Sequence, residues 1–304
     1  MLVWLPSGEL QDAVGEHDKV EIEVVRDWEP RSLPSSKDVV EVVVPPQAFG
    51  GDFREIAAEL PRLRVVQTLS TGVEAFANAL PDGVRLYNAS GVHVSATAEW
   101  VVAAILACER ELFEFDASRR ARAWAPRTTR GLSGSQVLIL GAGEIGRAVA
   151  SRLAPFGAHV TLVARRQRAG VASASEASGL LPKADVVVVL LPHTPETESL
   201  VDRAFLSRMK DGGLLVNASR GAIVESDALL AEVTSGRLRA ALDVFSPEPP
   251  ERSSQIWSAP GVFLTPHAAS NVAGMVGRQA ALLAERLPAF ARQADVAGMR
   301  DQGY

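Results

Sequence analysis

Short apolar runs recur along this chain at strand length, and they fall into two series. The first is LVWL (2–5), VEIEVV (20–25), VVEVVV (39–44), LRVVQTL (63–69) and VRLY (84–87). The second is QVLIL (136–140), HVTLV (159–163), DVVVVLL (185–191), GLLVN (213–217), AALDV (240–244) and VFLT (262–265). The runs are rich in β-branched residues and are bounded by Gly, Pro or Asp, which favours strands over helix turns. Most are continuous rather than alternating, as expected of strands buried on both faces. Helix-like stretches separate them, so the pattern predicts parallel sheets covered by helices on both sides. Two such series predict an α/β chain with two doubly wound parallel-sheet domains.

Between the series lies SATAEWVVAAILACERELFEFDASRRAR (95–122). Ala98, Val101, Val102, Ile105 and Leu106 share one helical face, and Ser95 is placed to cap it, so one long helix is expected. A second helix-rich segment, 271–293, has no strand after it and is expected to pack back on one of the domains. The end, VAGMRDQGY, is expected to be loosely held. No internal repeat or low-complexity tract interrupts the pattern.

Composition narrows the class. The 304 residues suffice for two domains, and 47% hydrophobic with 22% charged residues is ordinary for a globular protein. A formal net charge of -5 argues against a nucleic-acid partner. The single cysteine, Cys108, permits no intrachain disulfide and fits a reducing, cytoplasmic setting. MLVWLPSGEL lacks the basic-then-apolar order of a secretory leader, and no run of about 18 apolar residues is present to span a bilayer. Neither a membrane nor a metal is therefore expected as partner; no cluster has zinc or calcium spacing.

The first chemical motif is QVLILGAGEIGRAVASRL, in which Gly141, Gly143 and Gly146 follow a strand and open a helix. In that context the glycines read as a dinucleotide site. Gly141 permits the tight turn, Gly143 leaves room for a pyrophosphate, and Gly146 lets the helix close on the strand. The free N–H groups and dipole at the helix start favour the diphosphate. About twenty residues on, where such units usually carry an acidic side chain for a ribose hydroxyl, the chain has Ala164, Arg165 and Arg166. A carboxylate there would repel a ribose phosphate, whereas arginine offers a permanently charged donor fork. NADP(H) is favoured on that ground, with NAD(H) as the alternative if the arginines are only a solvated pair.

Three more stretches place polar residues after apolar strands: LLVNASRGAIVESDALL with Arg220, ALDVFSPEPP with Asp243 and Glu248, and VFLTPHAAS with His267. All follow the carboxyl ends of strands in the glycine-turn domain, the edge at which open α/β sheets bind ligands. Arginine grips a carboxylate, histidine moves a proton near neutral pH, and a carboxylate beside the imidazole orients it.

NASRG, DVFSPEPP and LTPHAAS, downstream of GAGEIG, resemble the NAD(P)-dependent D-2-hydroxyacid dehydrogenase family, glyoxylate/hydroxypyruvate reductases among them. LSTGVE (69–74), VHVSATAEWVVAAILA (92–107) and LLPHTPET (190–197) look like its further elements. The resemblance implies a Rossmann dinucleotide-binding domain, 96–270, inserted in a flavodoxin-like substrate domain, 1–95 and 271–304. It implies reduction of a small 2-oxo acid to the D-2-hydroxy acid. His267 would be the general acid/base, paired to Glu248, and Arg220 would bind the substrate carboxylate and polarise its carbonyl. The Gly72 and Val73 N–H groups would take the other carboxylate oxygen. Asp243 would contact the nicotinamide carboxamide, with Ala269 also beside the cofactor. Thr197 and the Glu144–Ile145 backbone would lie near the diphosphate, and Pro192 near the adenine. The family is usually a homodimer through the dinucleotide-binding domain, which would put 95–122 and the segment around Trp124 in an interface; an exposed or core tryptophan is the other reading. Most members that use NAD carry aspartate where this chain has Ala164, which touches cofactor choice and leaves the chemistry intact.

The other histidines, His17, His93, His159 and His193, need no role in this reading, and Cys108 is most simply a packing residue. Two other functions compete. A 3-phosphoglycerate dehydrogenase on the same scaffold should carry cations in its substrate lobe, and the loop VVVPPQAFGG (42–51) has none. A dinucleotide-sensing binding protein would not need Arg220, Glu248 and His267. An unphosphorylated acid such as glyoxylate or hydroxypyruvate is therefore the favoured substrate.

Overall fold

The structure, a computed structural model, describes residues 1–47, 49, 51–77, 79–294, 296 and 299–300. The chain divides into two compact units, one of residues 1–93 with 272–304 and one of residues 94–271. Each is built on one sheet.

In the first unit, β1 (Leu2–Leu5), β2 (Glu21–Val24), β3 (Val40–Val43), β4 (Val65–Gln67) and β5 (Arg85–Tyr87) are parallel, in the order β2-β1-β3-β4-β5. Alternation along the strands supplies both faces. Trp4, Val40, Val43, Val66 and Leu86 pack against α2 (Phe53–Ala58) and Phe76 of the short helix α3 (Glu74–Ala77). Val3, Leu5, Val42, Val65 and Tyr87 pack on the other side against Leu10 and Val14 of a first helix (Gly8–Val14) and Leu283, Leu287 and Phe290 of the C-terminal helix, Met275–Ala291. The C-terminal helix thus completes the first unit's core. Met299–Arg300, within the end expected to be loosely held, pairs antiparallel with β5; residues 297, 298 and 301–304 of that end lie outside the described ones.

The second unit has seven parallel strands: β6 (Gln136–Leu140), β7 (His159–Ala164), β8 (Val171–Ser173), β9 (Val186–Val189), β10 (Leu214–Asn217), β11 (Arg239–Leu242) and β12 (Val262–Leu264). Their order is β8-β7-β6-β9-β10-β11-β12, so the order of strand addition switches sides between β6 and β9. One face packs Ile139, Val188 and Val216 against α4 (Val94–Glu109) and α6 (Glu144–Leu153); the other packs Leu138, Val187 and Leu215 against α7 (Ala174–Leu180), α8 (Arg203–Ser207) and α9 (Ser226–Thr234). The apolar runs therefore mark eleven of these strands correctly. β8 carries no apolar run, because at a sheet edge only Val171 needs to be buried.

The expected long helix is two. α4 ends at Glu109, Glu111 has φ 48°, and α5 (Leu112–Arg120) follows with no buried residue. The reason is tertiary. Arg239 of β11 donates to the Cys108 carbonyl at 3.1 Å and to the Glu109 carboxylate at 2.6 Å, so a side chain takes up an end group of α4 that a further turn would otherwise use. Ser95 likewise is not a cap; it lies in the first turn of α4 and its hydroxyl accepts from Arg152.

Glu109 is 3% exposed and leans on one guanidinium. Arg239→Met keeps the apolar stem and leaves that carboxylate buried without its partner. The expected cost is about 3 kcal/mol or more, read as a lower urea midpoint for the second unit.

Candidate active site

The glycine turn joins β6 to α6, and its three glycines meet different constraints. Gly141 has φ 119°, and a Cβ there would lie 2.3 Å from the Leu190 carbonyl oxygen; one at Gly146 would lie 2.0 Å from the Gly141 carbonyl oxygen. Both are demanded by the packing of the chain on itself. A Cβ at Gly143 would meet nothing within 4 Å. Gly143 is also the N-cap of α6 and supplies no side-chain acceptor to the first turn. Open space in front of uncapped N–H groups is what a diphosphate requires, and a side chain would fill it, so the turn fits a dinucleotide.

β7 ends at Ala164, and Arg165 and Arg166 follow it, both exposed and without a hydrogen bond among the described residues. A third arginine, passed over in the sequence, belongs with them. Arg168 donates to the Ala142 carbonyl inside the glycine turn at 2.9 Å. Its place in ARRQR was visible; the carbonyl it reaches was not. The loop after β9 closes this corner. The Thr197 hydroxyl donates to the Pro192 carbonyl at 2.7 Å and accepts from the Thr194 N–H at 2.8 Å. The Thr194 hydroxyl and, less strongly, the Arg165 charge hold the Glu196 carboxyl below its ordinary range.

The polar residues at the carboxyl ends of β10, β11 and β12 come from adjacent parallel strands, about 4.8 Å apart. After β10, the Asn217 carboxamide oxygen accepts from Ser219 N–H and Oγ, and its amide donates to the Arg220 carbonyl. Arg220 Nη1 reaches the Ser219 carbonyl at 2.7 Å. Gly221 follows where a Cβ would collide with the Phe245 carbonyl, so the Arg220 turn lies directly against the strap that leads to Glu248.

Asp243, after β11, is 2% exposed. Its Oδ1 accepts from the Thr265 hydroxyl and from Ala268 N–H at 2.8 Å, and its Oδ2 from Ala269 N–H at 3.0 Å. His267 N–H donates to the Asp243 carbonyl at 2.8 Å. His267 itself has φ 50°, a conformation that costs a non-glycine residue about 1 kcal/mol and that these bonds hold in place. Its Nδ1 lies 2.7 Å from Glu248 Oε1. Glu248 Oε2 accepts from Phe245 N–H at 3.3 Å, so the strap fixes the carboxylate and the carboxylate fixes the ring.

In the first unit, Gly72 and Val73 are buried and follow β4 in LSTGV. Neither N–H has an acceptor among the described residues. Buried backbone N–H groups are rarely left unpaired, and two in succession form a cradle for an anionic oxygen. His93, given no role in the sequence, lies under this loop, with Nε2 at 2.7 Å from the Leu69 carbonyl. His159 is an exposed residue at the start of β7, and Trp124 is 97% exposed. Among the described residues no helix is long and apolar enough to cross a membrane.

Residues 102–269 match the family model described as D-isomer specific 2-hydroxyacid dehydrogenase, NAD binding domain. A D-3-phosphoglycerate dehydrogenase of Mycobacterium leprae is 37% identical over 242 residues, which are 76% of this chain and 46% of that protein. The chain thus spans about half the length of the phosphoglycerate dehydrogenases it matches. A glyoxylate reductase of Aeropyrum pernix is 34% identical over 255 residues, 78% of this chain and 76% of that one. A crystal structure of a D-isomer specific 2-hydroxyacid dehydrogenase from Xanthobacter autotrophicus, in complex with NADPH and MES, superposes with a TM-score of 0.84 at 28% identity, covering 99% of this chain and 98% of that one.

The glycines separate packing from binding. Gly143→Ala, which meets no atom but puts a poorer residue at the N-cap, is expected to cost no more than about 1 kcal/mol of unfolding free energy, yet to weaken dinucleotide binding in a fluorescence titration. Gly146→Ala is expected to destabilise the second unit by about 3 kcal/mol, because the collision is with backbone.

Proposed function

Within the D-isomer specific 2-hydroxyacid dehydrogenases, the family to which this chain belongs, we propose that it reduces a small unphosphorylated 2-oxo acid to the D-2-hydroxy acid with NADPH. The observation that carries this reading is the His267–Glu248 pair at 2.7 Å, held at the sheet edge where Arg220 also emerges. Nδ1 faces the carboxylate, so Nε2 is the nitrogen left for substrate. In the reduction, imidazolium Nε2–H donates to the substrate carbonyl oxygen and gives up its proton as the alcohol forms, with the Glu248 carboxylate orienting the ring. Arg220 takes a substrate carboxylate oxygen and polarises the carbonyl, and the Gly72 and Val73 N–H groups take the other carboxylate oxygen. The reduced nicotinamide, when bound, supplies the hydride. Gly141, Gly143, Gly146 and the Glu144–Ile145 backbone would form the seat of the diphosphate, with Thr197 near it and Pro192 near the adenine, and Asp243 and Ala269 would lie at the nicotinamide end.

NADPH over NADH rests on Arg165 and Arg166, exposed at the end of β7 and without a hydrogen bond among the described residues, with Arg168 adding positive charge beside the glycine turn. The choice of an unphosphorylated acid rests on the first unit. The loop VVVPPQAFGG (42–51), of which Ala48 and Gly50 lie outside the described residues, carries no cation to receive a phosphate. The similarity to phosphoglycerate dehydrogenases keeps 3-phosphoglycerate oxidation as the second reading. Self-association into a homodimer through the second unit is supported by exposed Leu112, Phe113 and Trp124 on and after α5. A cytoplasmic setting fits a chain whose single cysteine, Cys108, allows no intrachain disulfide.

The experiment follows nicotinamide absorbance with NADPH and NADH in parallel, on glyoxylate, hydroxypyruvate, pyruvate, phenylpyruvate and 3-phosphohydroxypyruvate. Turnover with NADPH on an unphosphorylated acid is expected; a preference for 3-phosphohydroxypyruvate selects the second reading. Tight NADPH binding without turnover on any of the acids would point instead to a dinucleotide-sensing protein. His267→Ala is expected to lower kcat at least about 100-fold with the Kd for NADPH unchanged. The double variant Arg165→Asp, Arg166→Ala is expected to reverse the ratio of kcat/KM for NADPH to that for NADH; an unchanged ratio would mark the arginines as solvated bystanders.

A further inference from the structure

The loop that carries Gly72 and Val73 is held from one side. Leu69 O accepts from His93 Nε2 at 2.7 Å, and Ser70 O from Thr68 Oγ1 at 2.8 Å and Ala89 N–H at 2.9 Å. Thr71 O accepts from Asn88 Nδ2 at 2.9 Å, and Gly72 O from Ser70 Oγ at 2.7 Å. Four consecutive carbonyls are therefore fixed by donors. Thr68, Asn88 and His93 are 2%, 0% and 5% exposed, and Ser70 is half-buried. Arg286 of the C-terminal helix, itself 4% exposed, holds the Asn88 carbonyl at 2.6 Å and the neighbouring Gln67 side chain at 2.7 Å.

A trans peptide is planar, and its C=O and N–H point in opposite directions. Fixing the carbonyl of one residue therefore aims the N–H of the next. Asn88, through Thr71 O, sets the direction of the Gly72 N–H, and Ser70, through Gly72 O, sets that of the Val73 N–H. Neither of these N–H groups, on two buried residues, has an acceptor among the described residues. Bonds that hold the carbonyls and leave the adjoining N–H groups unpaired are an arrangement for receiving negative charge, ready before the anion arrives.

We propose that Asn88 and Ser70 are positioning residues for substrate binding: they lock the two peptide planes whose N–H groups receive the carboxylate, with His93 and Thr68 fixing the planes before them. The proposal rests on the reading of Gly72 and Val73 as the carboxylate site. It assigns substrate affinity to side chains that need not touch the substrate. Losing one lock lets a plane rotate, so the cradle must be ordered by the substrate at binding, and the penalty falls on KM before kcat.

The test compares Ser70→Ala, which removes the hydroxyl, with Ser70→Thr, which keeps it. Ser70→Ala is expected to raise KM for the best 2-oxo acid about tenfold, with kcat changed less and the Kd for NADPH unaltered; Ser70→Thr is expected to stay within about threefold of the wild type. Asn88→Asp, which puts an acceptor against the Thr71 carbonyl, is expected to act in the same direction, and if it fails to fold the Ser70 pair still decides. A purely structural role would lower the unfolding midpoint without this split between variants. A second readout needs no turnover: amide hydrogen exchange of peptides covering 69–76, with and without oxamate. Protection by oxamate is expected in the wild type and Ser70→Thr and is expected to be lost in Ser70→Ala. Wild-type turnover combined with a wild-type KM in Ser70→Ala would leave the proposed function standing and overturn the positioning role. Absence of turnover with oxamate protection intact would overturn the proposed reaction alone. Absence of oxamate protection in the wild type would overturn the cradle and the positioning role with it.

Discussion

The buried carboxylate of Asp243 is the constraint around which the candidate site at the sheet's carboxyl edge is arranged. A carboxylate removed from water at the end of an apolar strand must find donors, and it finds them in one place: the Thr265 hydroxyl and the N–H groups of Ala268 and Ala269. Those three donors bracket His267. With its own N–H on the Asp243 carbonyl, His267 is forced through a left-handed backbone conformation that a free loop would avoid. The side chain then meets Glu248, which the strap following Asp243 delivers. Without those donors the carboxylate would be buried unpaired, and the turn that presents His267 to Glu248 would keep only the backbone bonds from the His267 N–H to the Asp243 and Thr265 carbonyls.

The first unit follows a related logic with the opposite charge. In the second unit an acidic group collects N–H donors and the chain bends around it. Under LSTGV, side-chain donors collect carbonyl oxygens, and the unpaired groups left over are N–H. Both devices use buried hydrogen bonds, whose net contribution to stability is modest but whose absence is costly, to specify one backbone path. Packing makes the paths obligatory. Gly146 has room only for hydrogen against the Gly141 carbonyl, and Gly221 only for hydrogen against Phe245, so turns that look flexible by composition are set by contact.

Much of this was legible in the chain itself. Eleven strands, the glycine turn, and the ordered appearance of Arg220, Asp243, Glu248 and His267 after strands can be read from apolar runs and from polar residues that interrupt them. Strand and turn signals are local, since burial on both faces and tight turns each impose a residue type within a few positions. Features that depend on distant partners were not legible. The break after Glu109 is made by Arg239, 130 residues away; β8 needs only one buried side chain at an edge; and the roles of His93 and Arg168 lie in which carbonyls they reach.

The sequence alone determined the class of fold, the two sheets, the presence of a dinucleotide turn and the inventory of chemical groups, because each leaves a short-range pattern. Tertiary structure decided the pairing of His267 with Glu248, the three-donor seat of Asp243, the arginine that reaches back to the glycine turn, and the one-sided anchoring of the loop at Gly72 and Val73. Those outcomes turn on directions and distances of about 3 Å between groups far apart in the chain, and a hydrogen bond is satisfied or lost over a fraction of that distance.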